Sequence, residues 1–478
     1  MDVTALLPPP VDFRGRRWST DELASRAAGW AKALGSALEA SPAPVAMALD
    51  NRPRSIALFF ALSAFAVPMV LFPPDLGGWQ STPPVPAGTR LVLPPERLGA
   101  AAGARAAGLE VVPLPVPARG APDSPFLRAP GVVMFTSGST GLPKPVYRPL
   151  AHIAHAASTL ARAIEFPPGQ GVIAALPQAR GHGVSTGLMV AAVLGVPLAL
   201  VERFDHRALL RLFASGRYHL WPGTPVMADL LGRCALPEPT HPAPAMCLFT
   251  GRPSLAACRA FRARFGVPLR QMYGTTELGT ITVDTGAAAD VTSESAGRPL
   301  PGVRVHVGPR PDVASAPGVA DRIWVSSPWA MQGYGFPPID DMPDSVDGWW
   351  TTPDVGHLDA DGRLTVLGRL DDRFRTSAGY TVDPAEVAAA LERYDGIVDA
   401  AVVRLESPTG PVLGALVQSA DPIDLAALRG HLARSVPAWS QPRVVASTSR
   451  LPRLASGRVD RRACIETLSR TLGDDRRA

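Results

Sequence analysis

The 478 residues predict an α/β protein in two parts: a large N-terminal region of layered α/β subdomains with a β-rich subdomain, and a small hinged C-terminal α+β domain. Three observations carry this reading. Helical signals alternate with short β-branched apolar runs over most of the chain. Between residues 297 and 365 the pattern changes to alternating residues punctuated by Gly, Pro and Asp. After Gly368-Arg369 the chain becomes charged (Asp371, Asp372, Arg373, Arg375), and a new helix opens at Asp383-Pro384-Ala385-Glu386, with proline at its favoured first position behind an aspartate cap. The expected division is therefore 1–369 and 370–478.

Taken in order, Ser-Thr-Asp-Glu at 19–22 reads as a capping box opening an amphipathic helix to residue 34. A strand at 45–49, a helix at 54–65 and a strand at 67–72 follow. The last two explain the longest apolar run, 56–72, better than a membrane span, because Ser63 and Pro68 interrupt it. The Pro/Gly/Ala-rich stretch 82–130 holds brief strands at 90–93 and 109–112, and 131–135 is a buried strand. Two further strand–helix units are expected between 172 and 231, and another strand at 246–249. Beyond the β-rich region come strands near 400–404 and 412–417, a helix at 425–434, and a terminal strand and tail.

Composition bounds the function. Apolar residues are 46% and charged residues 19%, the usage of a soluble globular protein. The net charge of +5 is spread thinly until the last segment, so neither a nucleic-acid partner nor a membrane span is expected, although the sign suits polyanionic ligands. Of the 47 basic residues only Lys32 and Lys144 are lysine. Cys234, Cys247, Cys258 and Cys464 lack metal or redox spacing, and no secretory signal opens the chain, so reduced thiols and a cytoplasmic location are expected.

The strongest motif is Thr136-Ser137-Gly138-Ser139-Thr140-Gly141-Leu142-Pro143-Lys144, directly after the 131–135 strand. Hydroxyls, glycine backbone N–H groups and one lysine can wrap phosphate oxygens. Gly-Lys-Ser/Thr is absent, which excludes a Walker A loop. A plain Ser/Gly linker is the bland alternative, but linkers seldom follow so apolar a strand.

Together with Met272-Tyr273-Gly274-Thr275-Thr276-Glu277, Thr351-Thr352-Pro353-Asp354 and Gly368-Arg369-Leu370-Asp371-Asp372, this loop resembles the ordered motifs of the adenylate-forming superfamily: acyl-CoA synthetases, nonribosomal peptide adenylation domains and luciferases. The resemblance runs from about residue 11 to 462. It implies that residues 136–144 hold ATP phosphates, that Tyr273 flanks adenine with Gly274 and Thr275 beside it, that Thr276 meets phosphate and that Glu277 helps hold Mg²⁺. It further implies that Asp354 and Arg369 hold the ribose and that Asp371 is the hinge. Thr250-Gly251-Arg252-Pro253 stands where the family has an adenine loop, with Arg252 a departure.

Two departures bear on mechanism. Arg458 in Ser456-Gly457-Arg458 occupies the place of the family's adenylation lysine, and a planar guanidinium is not a conservative replacement there. In Pro177-Gln178-Ala179-Arg180-Gly181-His182-Gly183, Arg180 falls where many acyl ligases carry a histidine. His182 is then a catalytic candidate set against the reading of it as a structural side chain, and Arg180 a candidate partner for a substrate anion. The aspartate that α-amino-acid adenylation domains place in this segment is missing, which disfavours such substrates. The resemblance implies ATP, Mg²⁺ and a small carboxylic acid, with coenzyme A or a phosphopantetheinyl acyl carrier protein as acceptor. Transfer to a nitrogen or oxygen nucleophile, and a nucleotide-binding scaffold without catalysis, are the alternatives.

Overall fold

The computed structural model describes residues 6–39, 41–72, 85–116, 126, 128–136, 144–234, 244–251, 255–287, 294–313, 316–337, 339, 345–370, 374–375, 381–407, 410–453 and 459–474. A seven-stranded sheet runs in the order Gly333–Tyr334, Pro145–Pro149, Gly131–Phe135, Met69–Phe72, Val45–Ala48, Arg90–Leu93, Glu110–Pro113. Its last five strands are parallel; the first two add antiparallel at one edge. Short, wholly apolar strands such as Val45–Ala48 are what a sheet covered on both faces requires. The helix Thr20–Leu38, capped through Ser19 and Glu22 in both directions, and the helix Pro53–Ser63 pack on it. Ile56, Phe59 and Phe60 are completely buried there, each contributing roughly 1.5–3 kcal/mol to core formation.

A second, nine-stranded sheet runs Arg298–Pro299, Gly279–Val283, Leu269–Thr275, Met246–Thr250, Tyr218–Gly223, Gly171–Ala174, Leu198–Leu200, Val11–Phe13, Arg16–Trp18. From Val11–Phe13 across to Leu269–Thr275 it is parallel. The region 171–233 contains three strand–helix units rather than the two expected, because the middle strand, Leu198–Leu200, is only three residues long and gives little signal. Asn51 ties the two sheets: its Nδ2 donates to the carbonyls of Ala174 (3.0 Å), Leu176 (2.9 Å) and Val201 (2.9 Å), and its Oδ1 accepts from the Gln178 N–H (3.2 Å).

The β-rich region is an antiparallel five-stranded sheet built around Trp349–Leu358, with Asp321–Ser326 on one side and Leu364–Arg369 on the other. Pro353 lies inside the central strand, where register with Asp321–Ser326 is broken between Arg322 and Trp324. The Thr352 hydroxyl donates to the Ile323 carbonyl at 2.9 Å, taking the place of a ladder bond that proline cannot make.

Toward the C-terminus, Asp399–Ser407, Gly410–Gln418 and Val444–Thr448 form a separate three-stranded sheet with the helices Pro384–Glu392, Leu425–Ser435 and Arg461–Asp474. Among the described residues, the apolar clusters of this part draw nothing from before Val382, and those of the larger part nothing from beyond Val366. The Asp383 side chain caps the Pro384 helix by accepting from the Ala385 N–H at 2.9 Å. The last described element is a helix, Arg461–Asp474, where sequence patterning suggested a tail; among its described side chains Cys464 and Leu468, four residues apart, are the fully buried ones, too few to mark a period.

Candidate nucleotide and acid site

The parallel strands of the nine-stranded sheet deliver their C-terminal ends to one edge, the position where open α/β sheets bind ligands. Thr250 ends one such strand and Tyr273, Gly274 and Thr275 end its neighbour. The chain then turns through Thr276 and Glu277 into Gly279–Val283; the Thr275 hydroxyl accepts from the Leu278 N–H at 3.0 Å and pins that turn. Gly274 is required here, since a Cβ would lie 2.5 Å from the Gly279 carbonyl oxygen.

The seven-stranded sheet brings Thr136 and Lys144 to the same place. Thr136 N–H donates to the Lys144 carbonyl (3.0 Å) and Lys144 N–H to Thr136 Oγ1 (3.0 Å), which brings together the ends of the strands Gly131–Phe135 and Pro145–Pro149. The edge strand Gly333–Tyr334 then joins the sheets: Gln332 N–H bonds the Tyr147 carbonyl (3.0 Å), while Met331 N–H bonds the Glu277 carbonyl (2.7 Å). In consequence the Lys144 ammonium sits 5.2 Å from the Tyr334 ring centre, and the Tyr334 hydroxyl donates to Glu277 Oε1 at 3.1 Å. Behind Glu277 lies Arg148, wholly buried, its Nη2 donating to the Trp329 carbonyl at 3.2 Å. Burial lowers its pKa to about 10, opposed by the Glu277 charge. Gly279, at φ +69°, leaves the space that this guanidinium fills.

Four residues before Glu277, the buried Tyr273 hydroxyl donates to Asp354 Oδ2 at 2.6 Å. Burial first, and then the neighbouring Asp354 carboxylate, hold the phenol protonated far above its ordinary range. Asp354 faces Arg369 across the Trp349–Leu358/Leu364–Arg369 pairing. Three sheets thus contribute two neighbouring sets of contacts, Lys144–Tyr334–Glu277 and Tyr273–Asp354, whose Tyr273 and Glu277 are four residues apart in the chain.

The third wall is residues 177–183. Gly181 packs on Thr276, with a Cβ position 3.7 Å from Thr276 Oγ1. His182 Nδ1 lies 3.0 Å from Thr250 Oγ1, and its Nε2 is buried without a partner. Burial depresses the imidazole pKa to about 4, so His182 is neutral near pH 7. Burial also lowers the pKa of the adjacent Arg180.

Of the residues singled out in the sequence, Thr136, Lys144, His182, Gly251, Tyr273, Gly274, Thr275, Thr276, Glu277, Asp354 and Arg369 are described; Gly251 is exposed at φ +92°, just past Thr250. Ser137, Gly138, Ser139, Thr140, Gly141, Arg252, Pro253, Asp371 and Arg458 lie outside the described residues. Arg453 and Val459, which flank Arg458 in the chain, form an antiparallel bridge, and Arg453 pairs with Asp399. Tyr334 and Arg148 were not anticipated: no motif marks them, and only long-range strand pairing brings them to Glu277.

The chemistry of this group fits a nucleotide with a hard cation. Among the described residues no three His, Cys, Asp or Glu side chains gather to hold a metal unaided. A lone carboxylate such as Glu277 suits Mg²⁺, which takes its remaining oxygens from water and phosphate.

Comparison with known proteins supports the nucleotide. A family model described as AMP-binding enzyme matches residues 91–335, half of the chain. The 2-succinylbenzoate–CoA ligase of Geobacillus kaustophilus is 29% identical over 96% of this chain and 94% of its own length. The sulfoacetate–CoA ligase of Cupriavidus necator is 30% identical over 70% of this chain and 66% of its own length. Among solved structures, the amide bond synthetase McbA from Marinactinospora thermotolerans superposes with a TM-score of 0.83 at 25% identity, covering 97% of each chain. The chain belongs to the AMP-binding enzyme family, within the adenylate-forming superfamily.

Proposed function

We propose that this protein joins a small carboxylic acid to AMP, releasing pyrophosphate, and then passes the acyl group to the thiol of coenzyme A. The observation that carries the reading is that two sets of contacts, Lys144–Tyr334–Glu277 and Tyr273–Asp354, meet the chain within four residues at the C-terminal end of one strand of the nine-stranded sheet. They offer a cation for phosphate, a carboxylate for a phosphate-bound metal, an aromatic face for adenine and a carboxylate for ribose hydroxyls. The ligases among the relatives are named for 2-succinylbenzoate and sulfoacetate, which supports a small acid and coenzyme A; both named acids carry a second anionic group.

In this reading a carboxylate oxygen of the acid attacks the α-phosphorus and pyrophosphate leaves, so the protein's task is to align two anions and neutralise charge. The 136–144 loop holds the β- and γ-phosphates, Thr276 the α-phosphate, Asp354 and Arg369 the ribose, and Gly251 to Pro253 the adenine edge. Mg²⁺ held at Glu277 would screen the phosphate charge. Neutral His182, seated on Thr250 beside Thr276, shapes the acid's end of the cleft without adding charge. Residues 370–478 act as a mobile domain that turns about Asp371, presents Arg458 for adenylation and withdraws it for thiol attack. A phosphopantetheinyl carrier protein is the alternative thiol. Four free cysteines suit work in the cytoplasm, and among the described residues no helix is long and apolar enough to cross a membrane.

A second reading, transfer of the acyl group to an amine, is supported by the likeness to an amide bond synthetase over 97% of the chain. Both readings share the first half-reaction. Acid-dependent ATP–pyrophosphate exchange over a panel of acids tests that half, with exchange expected only when acid and Mg²⁺ are both present. Product mass with coenzyme A or amines decides the second half. ATP binding without exchange for any acid would leave only a nucleotide-binding scaffold.

A further inference from the structure

We infer that Arg180 holds a second anionic group of the acid substrate, so that the preferred acids are short dicarboxylates or carboxylate–sulfonates; this rests on the acid-adenylation reading above. Burial weakens the charged form of five arginines in the described residues: Arg54, Arg90, Arg148, Arg180 and Arg270. Four of them have a carboxylate in range, respectively Asp50, Glu110, Glu277 and Asp284. Arg180 has none, and among the described residues its guanidinium makes no hydrogen bond or ion pair. A guanidinium drawn partly out of water without a partner is a cost that a fold normally avoids. A ligand anion supplies what the chain leaves out.

The position selects which anion. Gly181, the next residue, lies against Thr276 Oγ1, and His182 is fixed on Thr250, so Arg180 stands one residue beyond the wall that faces the α-phosphate position. Successive Cα atoms are about 3.8 Å apart, so the Arg180 backbone lies one residue from that wall, near enough for its long side chain to reach an anion borne a few bonds from a carboxylate at Thr276. A guanidinium clamped on the reacting carboxylate itself would also withdraw the electron density needed for attack. Its planar fork matches a terminal carboxylate or sulfonate through two parallel hydrogen bonds. The nucleotide phosphates have a cation of their own in Lys144, next to the Tyr334 ring whose hydroxyl binds Glu277.

The test compares dicarboxylic acids of three to six carbons, and a carboxylate–sulfonate, with the mono-amide of each dicarboxylate, in acid-dependent pyrophosphate exchange. Wild type, Arg180→Gln and Arg180→Lys are assayed, and ATP binding is measured by calorimetry for each. The wild type is expected to favour a diacid over its mono-amide by about ten- to a hundredfold in kcat/KM, the range of a charge-assisted pair. Arg180→Gln brings that ratio near one with ATP Kd unchanged, and Arg180→Lys restores part of it. A wild type indifferent to the second charge, or an Arg180→Gln protein that keeps the preference, overturns the assignment while adenylation stands. An Arg180→Gln protein that loses ATP binding assigns the guanidinium to phosphate instead and overturns it too. Absence of exchange with every acid, with ATP still bound, rejects the adenylation reading and this inference with it.

Discussion

Tyr334→Phe removes one oxygen from the side chain that touches both charged groups at the phosphate end of the site. The ring stays, and with it the Lys144 ammonium 5.2 Å from its centre; what is lost is the 3.1 Å hydrogen bond to Glu277 Oε1. A hydrogen bond to a charged partner contributes about 1.5–3 kcal/mol when fully buried. Both residues here are half-buried, which reduces the figure to roughly 1–1.5 kcal/mol, or about five- to tenfold in an equilibrium constant. Because Tyr334 holds one carboxylate oxygen and leaves the other for a cation, the loss falls on metal affinity. A Mg²⁺ titration of pyrophosphate exchange should show half-saturation shifted upward by that factor. Calorimetry of ATP binding in EDTA should be unchanged, since Lys144 keeps its seat. Tyr334→Ala, which also deletes a cation–π contact of about 0.5–1 kcal/mol, should weaken the EDTA measurement as well, by roughly two- to fivefold. If Tyr334→Phe leaves the Mg²⁺ dependence intact, or weakens Mg²⁺-free binding equally, the assignment of Glu277 to the metal is wrong.

Other perturbations read the remaining walls. Tyr273→Phe leaves Asp354 without its buried donor; the ATP KM should rise about tenfold with kcat little changed, as expected when ground and transition states lose the same contact, and a fall in kcat alone would contradict it. Gly274→Ala drives a methyl to 2.5 Å from the Gly279 carbonyl oxygen, so both melting temperature and ATP binding should fall; a variant as stable as wild type removes the steric argument. His182 has a folded pKa of about 4, below its ordinary 6.5, so the unfolded chain takes up the proton first as pH drops. Its contribution is full above pH 6.5 and is lost as pH falls toward 4. Between pH 7 and pH 4.5 the wild type should lose about 2–3 kcal/mol more than His182→Gln in urea unfolding, and equal losses would show the ring is not sealed from water.

Much of the scaffold could be read from residue order alone. The capping box at Ser19 and Glu22, the strand Gly131–Phe135 and the helix behind Asp383 each depend on local chemistry, and local chemistry is visible in a sequence. The motif residues Lys144, Tyr273, Glu277 and Asp354 were readable for the same reason, as short strings with a recognisable order. Pro353 in the ribose segment sits in a bulged strand, where Thr352 takes over the lost bond, and nothing in the string itself marks that strand. What stayed hidden is whatever long-range pairing creates. Tyr334 reaches Glu277 only because a two-residue edge strand pairs with Pro145–Pro149, and Arg148 only because its strand crosses behind that turn. Neither contact leaves a periodic trace. Asn51, which ties both sheets through three carbonyls, looks in sequence like any turn asparagine.

The most direct measurement is a crystal structure with ATP, Mg²⁺ and a substrate acid bound. One nucleotide should lie with its phosphates between Lys144 and Thr276, its metal on Glu277, its adenine along Tyr273 and its ribose hydroxyls on Asp354. Nucleotide density elsewhere, or a metal that leaves Glu277 untouched, would show that these side chains were gathered for some other purpose.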